Sequence, residues 1–357
     1  MRELVDEPIA AHTTMRVGGP ASRMVVVETP DELVDAVREV DDADEPLLLL
    51  AGGSNLVVAD EGFAGTVIKV ATRGVSVESE DSCGGANVTV AAGEPWDDLV
   101  SLAVEEGWTG VEALSGIPGS TGATPVQNVG AYGQDVAQTI ARVRVWDRLE
   151  EKVRTLSSPE CRFTYRHSLF KGTDRYVVID VMFQLVLGSL SRPVAYADLA
   201  TQLGVEVGAR VPLSDAREAV IAQRRRRGMV LDQVDHDTWS CGSFFTNPIL
   251  TSQDFGELEQ RVADRLGTDA PAPPRFPAAE GTVKTSAAWL IERAGFGKGF
   301  GDPGPATLST KHTLAVTNRG AATASDVIGL ARTVRDGVRD AFGVTLVNEP
   351  ALVGNAL

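Results

Sequence analysis

Apolar residues recur along this chain in two rhythms, one suited to buried strands and one to helices. Residues 22–28 are strand-like and lead into Thr29-Pro30-Asp31-Glu32. There Thr29 can cap a helix, Pro30 takes its first position and Glu32 can close a capping box. Leu33, Val37 and Val40 then share one helical face. Residues 47–50, 56–58 and 66–70 read as short strands, and residues 88–92 as another, followed by a helix over 96–105. Residues 143–146 and 176–187 are strongly strand-like. A helix from about 214 runs into the four arginines 224–227, where cations favour a helix C-terminus. Further helices are expected near 254–266 and 285–293, with strands over 312–317 and 344–347. Between those strands lies a long helix bearing Val327, Leu330, Val334, Val338 and Phe342. The texture changes over 190–228, which predicts a domain boundary there.

The break in this pattern is a stretch over residues 116–133 without one charged side chain, in a chain that is 23% charged. It holds five glycines and two prolines. Surface connections are normally richer in charge, so the stretch suits contact with a large cofactor, particularly one carrying phosphates. A second loop, Ala51-Gly52-Gly53-Ser54-Asn55-Leu56, offers consecutive backbone N–H groups, as in an anion-binding nest. It is also good turn chemistry by itself. Neither loop is a Gly-x-Gly-x-x-Gly fingerprint between strand and helix, and no Gly-x-x-x-x-Gly-Lys-Ser/Thr loop is present. Together the two loops predict a diphosphate gripped from two sides.

At 357 residues the chain exceeds one ordinary core, and its net charge of −16 argues against nucleic-acid binding. No apolar run approaches the ~18 residues of a membrane span, and the first residues lack the apolar core of a signal peptide. The three cysteines, Cys83, Cys161 and Cys241, have no Cys-x-x-Cys spacing, and the four histidines are dispersed. A cytoplasmic protein with no metal site is expected.

The two loops, extended from His12-Thr13-Thr14 near the start to Glu349 near the end, resemble the UDP-N-acetylenolpyruvoylglucosamine reductase family. The resemblance implies an α+β fold: a two-subdomain FAD-binding module of the vanillyl-alcohol-oxidase type, over residues 1–72 and 73–205, and a C-terminal α+β substrate-binding domain over 206–357. It implies non-covalent FAD, contacted by Gly52, Gly53, Ser54, Asn55 and Leu56 in the first loop. In the second, the implied contacts are Ile117, Pro118, Gly119, Gly122, Ala123, Gln127, Asn128, Gly130, Ala131 and Tyr132.

Three segments far apart in sequence carry the implied chemistry. Arg166, in Cys161-Arg162-Phe163-Thr164-Tyr165-Arg166-His167, would face the enolpyruvyl carboxylate; taken alone it reads as a surface arginine stacked on aromatics. Ser243, in Ser240-Cys241-Gly242-Ser243-Phe244-Phe245, would be the general acid at C2 of the substrate, with Cys241 a rival proton source. Glu349, in Val347-Asn348-Glu349-Pro350, would orient the intermediate. Tyr196, Arg227, Asn247 and His312 are implied substrate contacts, with Tyr196 closing over the UDP group. Lysine is usual in relatives at the place of Arg227. The family's reaction is NADPH-dependent reduction of UDP-N-acetylglucosamine enolpyruvate to UDP-N-acetylmuramate, in peptidoglycan precursor synthesis, and a monomer is expected. Two alternatives stay open on the residues: a flavin oxidase of the same superfamily, disfavoured because the first loop lacks a histidine or cysteine for covalent attachment, and a non-enzymatic nucleotide-sugar binder.

Overall fold

A computed structural model describes residues 1–357. The chain folds as two compact units. One comprises Met1–Glu7, Ala21–Gly53 and Phe63–Val230; the other comprises Pro8–Pro20, Ser54–Gly62 and Leu231–Leu357.

The first unit contains two sheets. Strands Arg2–Pro8, Pro20–Val27, Phe63–Val70 and Leu47–Leu50 lie side by side in that order, the last three parallel. The helix Pro30–Asp42 accompanies this sheet, burying Leu33, Ala36, Val37 and Val40. Its cap is half of the expected box. The Thr29 side chain accepts from Glu32 N at 3.2 Å, but the Glu32 carboxylate reaches back one residue further, to Glu28 N at 2.8 Å. The second sheet is antiparallel, in the order Lys152–Ser157, Ile140–Asp147, Tyr176–Leu187, Gly85–Ala91 and Val75–Asp81. Both sheets contribute to one hydrophobic core that includes Val25, Ile68, Val88, Val181 and the buried Trp96 of the helix Trp96–Glu105. A smaller cluster, Val194, Leu199, Val211, Ala216 and Val220, sits beneath the helices Ala197–Leu203 and Leu213–Arg226.

The second unit is built around the helix Ala324–Phe342, which buries Val327, Ala331, Val334, Val338 and Phe342 and has a full capping box between Thr323 and Asp326. Asp60 adds a second cap, accepting from Ala324 N at 2.6 Å and Ser325 N at 3.0 Å. Helices Ser252–Leu266 and Ala287–Arg293 share its core with Phe244, Phe245 and Val57.

Three expectations need correction. The boundary falls at Val230 rather than at 205, because Leu213–Arg226 packs its apolar face in the first unit. Two N-terminal segments belong to the second unit, the first tied there by Thr14 Oγ1 donating to Ser240 O (2.7 Å) and Asn318 Nδ2 donating to Met15 O (3.1 Å), the second by Asn55 Nδ2 donating to Glu349 O (3.2 Å). Finally, the strands expected over 312–317 and 344–347 shrink or vanish. His312 lies in a turn before the strand Val316–Asn318, and the last strand is Ala351–Val353.

Candidate active site

The charge-free loop is stabilised by its own backbone. It contains the short helical turn Thr121–Ala123 and ends in the two-residue strands Gly130–Ala131 and Gln134–Asp135. It lies directly against the first glycine loop: a Cβ at Gly52 would stand 2.5 Å from the Gly119 Cα, so only glycine permits the approach. The entry to the loop is fixed by Asp97, whose carboxylate accepts Gly116 N at 2.6 Å while pairing with Arg217 at 2.7 Å. Burial opposes ionisation of Asp97, but these two partners outweigh it and hold its carboxyl below the usual range. On the other side the Lys69 ammonium donates to Ala51 O, and burial lowers its pKa.

Those surroundings fit a diphosphate cofactor held by neutral groups. Residues Ile117 to Gly119, Ala123, Gln127 and Gly130 to Tyr132 are half-buried, so this face of the loop is accessible while Thr121, Gly122 and Asn128 are buried. The buried Thr121 hydroxyl has no hydrogen-bond partner within the protein. A polar group left so is costly unless a ligand or water completes it.

Arg166 is placed by the same loop. Its guanidinium donates from Nη1 to Asn128 O (3.3 Å) and from Nη2 to Gly130 O (2.5 Å), and its backbone is left-handed, with φ of 54°. A Cβ on Gly130 would meet that guanidinium at 2.9 Å. Asn128, itself at φ 49°, spends its amide on protein: Nδ2 donates to Thr164 O (3.0 Å) and Oδ1 accepts from Ala137 N (3.1 Å). Ser168 Oγ adds a bond to Val126 O at 2.6 Å. Strained non-glycine backbone at two bonded residues shows that the surroundings over-determine this corner. Asp135 lies beside it; burial raises its carboxyl above the usual range, and Arg166 counters part of that rise.

Tyr196 stands at the N-terminal end of the helix Ala197–Leu203, its side chain exposed and meeting Tyr132 edge-on, ring centres 5.9 Å apart. Arg227 follows the helix Leu213–Arg226 and pairs with Asp198 at 3.0 Å. Arg224, one turn earlier, is turned inward, donating to Met229 O at 2.7 Å; burial pushes its guanidinium down to about 10.

In the second unit, the segments that carry Ser243 and Glu349 are paired through their main chains. Glu349 N donates to Phe244 O at 2.8 Å, Thr246 N donates to Val347 O at 3.0 Å, and Phe245 bridges Asn348 antiparallel. Glu349 therefore stands on the segment alongside the serine. Cys241 is turned away on the other side of its turn: it is buried, burial pushes its thiol up to about 12, and the thiol donates to Leu56 O at 3.4 Å. Asn247 uses its side-chain oxygen to accept Ala287 N at 3.0 Å, holding the start of the helix Ala287–Arg293. The turn carrying His312 is anchored by Asp237, which accepts Thr310 N at 2.9 Å and pairs with Arg319 at 3.0 Å.

Sequence reasoning passed over Asp97, Glu112, Lys69 and Asp237, all of which shape this architecture. Glu112 is the clearest case: it is 2% exposed and accepts from Gly110 N (2.7 Å), Gln134 Nε2 (2.8 Å) and Arg192 N (2.6 Å). Its signal was a lone carboxylate inside the apolar run 108–114.

Comparison with known proteins decides the family. A family profile described as an FAD binding domain matches residues 21–157, and one for the C-terminal domain of UDP-N-acetylenolpyruvoylglucosamine reductase matches residues 232–353. The UDP-N-acetylenolpyruvoylglucosamine reductase of Thermobifida fusca is 58% identical over 98% of this chain and 98% of its own. This chain belongs to the UDP-N-acetylenolpyruvoylglucosamine reductase family. The reductase of Streptomyces avermitilis is 56% identical over 99% of this chain and 96% of its own. The crystal structure of the reductase from Thermus caldophilus superposes with a TM-score of 0.64 at 25% identity, covering 99% of this chain and 98% of that one. Membership makes this chain an FAD-dependent oxidoreductase of peptidoglycan precursor synthesis with an α+β fold. The flavin-oxidase and binder alternatives are set aside by it. No helix is long and apolar enough to cross a membrane.

Proposed function

We propose that Arg166, Ser243 and Glu349 carry the reduction of UDP-N-acetylglucosamine enolpyruvate to UDP-N-acetylmuramate, with NADPH as the reductant. The observation that carries this reading is the pairing of the two C-terminal segments, which sets Glu349 beside the Ser243 segment through the Glu349 N to Phe244 O bond of 2.8 Å. When bound, FAD supplies the hydride chemistry. The backbone amides of residues 52–55 and 116–133 would hold its diphosphate, and the neutrality of those loops would reserve the decisive charges for the substrate.

Arg166 pairs with the enolpyruvyl carboxylate and stabilises the negative charge that grows there as C3 gains a hydride. Its fork is already aimed by the Asn128 and Gly130 carbonyls, so little reorganisation is needed. Ser243 gives its hydroxyl proton to C2. A serine is a weak acid, but the enolic carbon it meets is basic enough to take the proton. Glu349 orients the intermediate by hydrogen bonding. Tyr196 and Arg227 take the UDP end, Arg227 exchanging Asp198 for a phosphate, while the Asn247 amide nitrogen and His312 contact the rest of the substrate. The buried thiol of Cys241 takes no part. The enzyme is proposed to work as a monomer in the cytoplasm, a setting that suits three free thiols.

An anaerobic two-step mixing experiment tests the reading. NADPH should bleach the flavin absorbance, and the enolpyruvyl substrate should then restore it without oxygen, yielding one UDP-N-acetylmuramate per flavin. Bleaching with no recovery would sink the proposed substrate.

A further inference from the structure

Glu349 is held through its main chain on both sides of its Cα. Its N–H is bonded to Phe244 O at 2.8 Å, the residue after Ser243. Its carbonyl accepts from the Asn55 side-chain amide at 3.2 Å, across 294 positions of sequence. Asn55 is joined there a second time, because its own carbonyl accepts Ala351 N at 3.0 Å. From that point Leu56–Val58 and Ala351–Val353 run parallel, in the register Ala351↔Leu56, Leu352↔Val57 and Val353↔Val58. The ladder thus begins at Asn55, and its side chain extends it back to the Glu349 peptide.

This arrangement gives the last residue of the first glycine loop a second task. We infer that Asn55 is a positioning residue for Glu349, fixing its peptide so that the carboxylate is aimed relative to Ser243. The bond to Phe244 O fixes the peptide before the Glu349 Cα, and the Asn55 amide fixes the one after it. Proline at 350 offers no N–H of its own to the neighbouring strand, so the Glu349 carbonyl and Ala351 N on either side of it secure this stretch to Asn55. Loss of the amide removes the bond on the carbonyl side of Glu349. The inference rests on the proposed role of Glu349 and goes beyond it, since it assigns to a residue of the cofactor loop an effect on proton delivery.

The test is a double-mutant cycle on the holoenzyme, with both halves of the reaction measured separately. Asn55→Ala should slow the substrate-driven recovery of flavin colour by about tenfold or more, as expected for a catalytic group displaced by a fraction of an ångström. Bleaching by NADPH should be affected far less. Glu349→Gln should slow the same recovery, and Asn55→Ala added to it should cost little more, because the two act as one unit. Asn55→Asp, which keeps the shape and loses the donor, should behave as Asn55→Ala and guards against a folding defect in one variant. Full additivity of the Asn55 and Glu349 effects, or loss of bound flavin as the sole defect, would overturn the inference. A wild-type recovery rate in Glu349→Gln would instead remove the reading of Glu349 on which it stands.

Discussion

The two units place their reactive groups by different physics. In the first, Arg166 is aimed by side-chain bonds onto the carbonyls of a neutral glycine loop, with left-handed backbone at Arg166 and Asn128. In the second, Ser243 and Glu349 stand on paired extended segments, aligned by main-chain bonds such as Glu349 N to Phe244 O. A loop corner of the first kind depends on particular side chains and on missing ones. A main-chain pairing of the second kind is indifferent to most side chains except those that do the chemistry. The first unit should therefore be sensitive to small, shape-changing substitutions, and the second chiefly to removal of the reacting groups.

Gly52→Ala breaks the first unit most severely. The added Cβ would meet the Gly119 backbone at 2.5 Å, and neither backbone can yield without reshaping the loop. An overpacking cost of ~1–3 kcal/mol corresponds to flavin retention about ten- to a hundredfold weaker. Titration of the apoprotein with FAD would measure it; undiminished affinity would mean that the two loops do not act as one cradle. Arg166→Lys comes next. Lysine keeps the charge and loses the fork, so recovery of flavin colour with substrate should slow by about ten- to a hundredfold while bleaching by NADPH is retained. Parallel loss in both steps would point to a damaged loop instead.

A smaller effect belongs to the second unit. Asp60 caps the long helix, and although burial opposes its charge, the bonds from Ser325 and Ala324 hold its pKa below the usual value. Its stabilisation is therefore present above the unfolded pKa of about 4 and is lost as pH falls through the lower folded value. Asp60→Asn should lower stability by about 1 kcal/mol at neutral pH, with the deficit shrinking below pH ~4. Thermal melts of both proteins across that range would show it, and a constant deficit would contradict the capping account. The smallest effect is expected from Cys241. With its buried thiol bonded to Leu56 O, Cys241→Ala in a Ser243→Ala background should leave the residual rate within about twofold. A further large drop would make the thiol a proton source.

Local patterns were legible where one segment determines its own structure. The helix Trp96–Glu105 and the strand Tyr176–Leu187 match their hydrophobic rhythm to the residue. Residues 344–347 show why other segments were misread. Val344 and Leu346 are buried and Thr345 and Val347 exposed, the alternation of a strand, yet no ladder forms along them. Alternation reports burial; pairing depends on what a remote segment offers. The unit boundaries were hidden for the same reason, since residues 8–20 and 54–62 join the second unit through bonds spanning hundreds of positions. The family resemblance supplied the roles of Arg166, Ser243 and Glu349. The geometry adds what holds each of them, including Asn128, Asp97 and Asn55, whose partners lie far away in sequence.

The most direct test of the central claim is Ser243→Ala followed through both steps under anaerobic conditions. The account predicts that NADPH bleaches the variant's flavin at close to the wild-type rate, while enolpyruvyl substrate restores the colour about a hundredfold more slowly or worse. Equal slowing of both steps, or recovery at the wild-type rate, would contradict it.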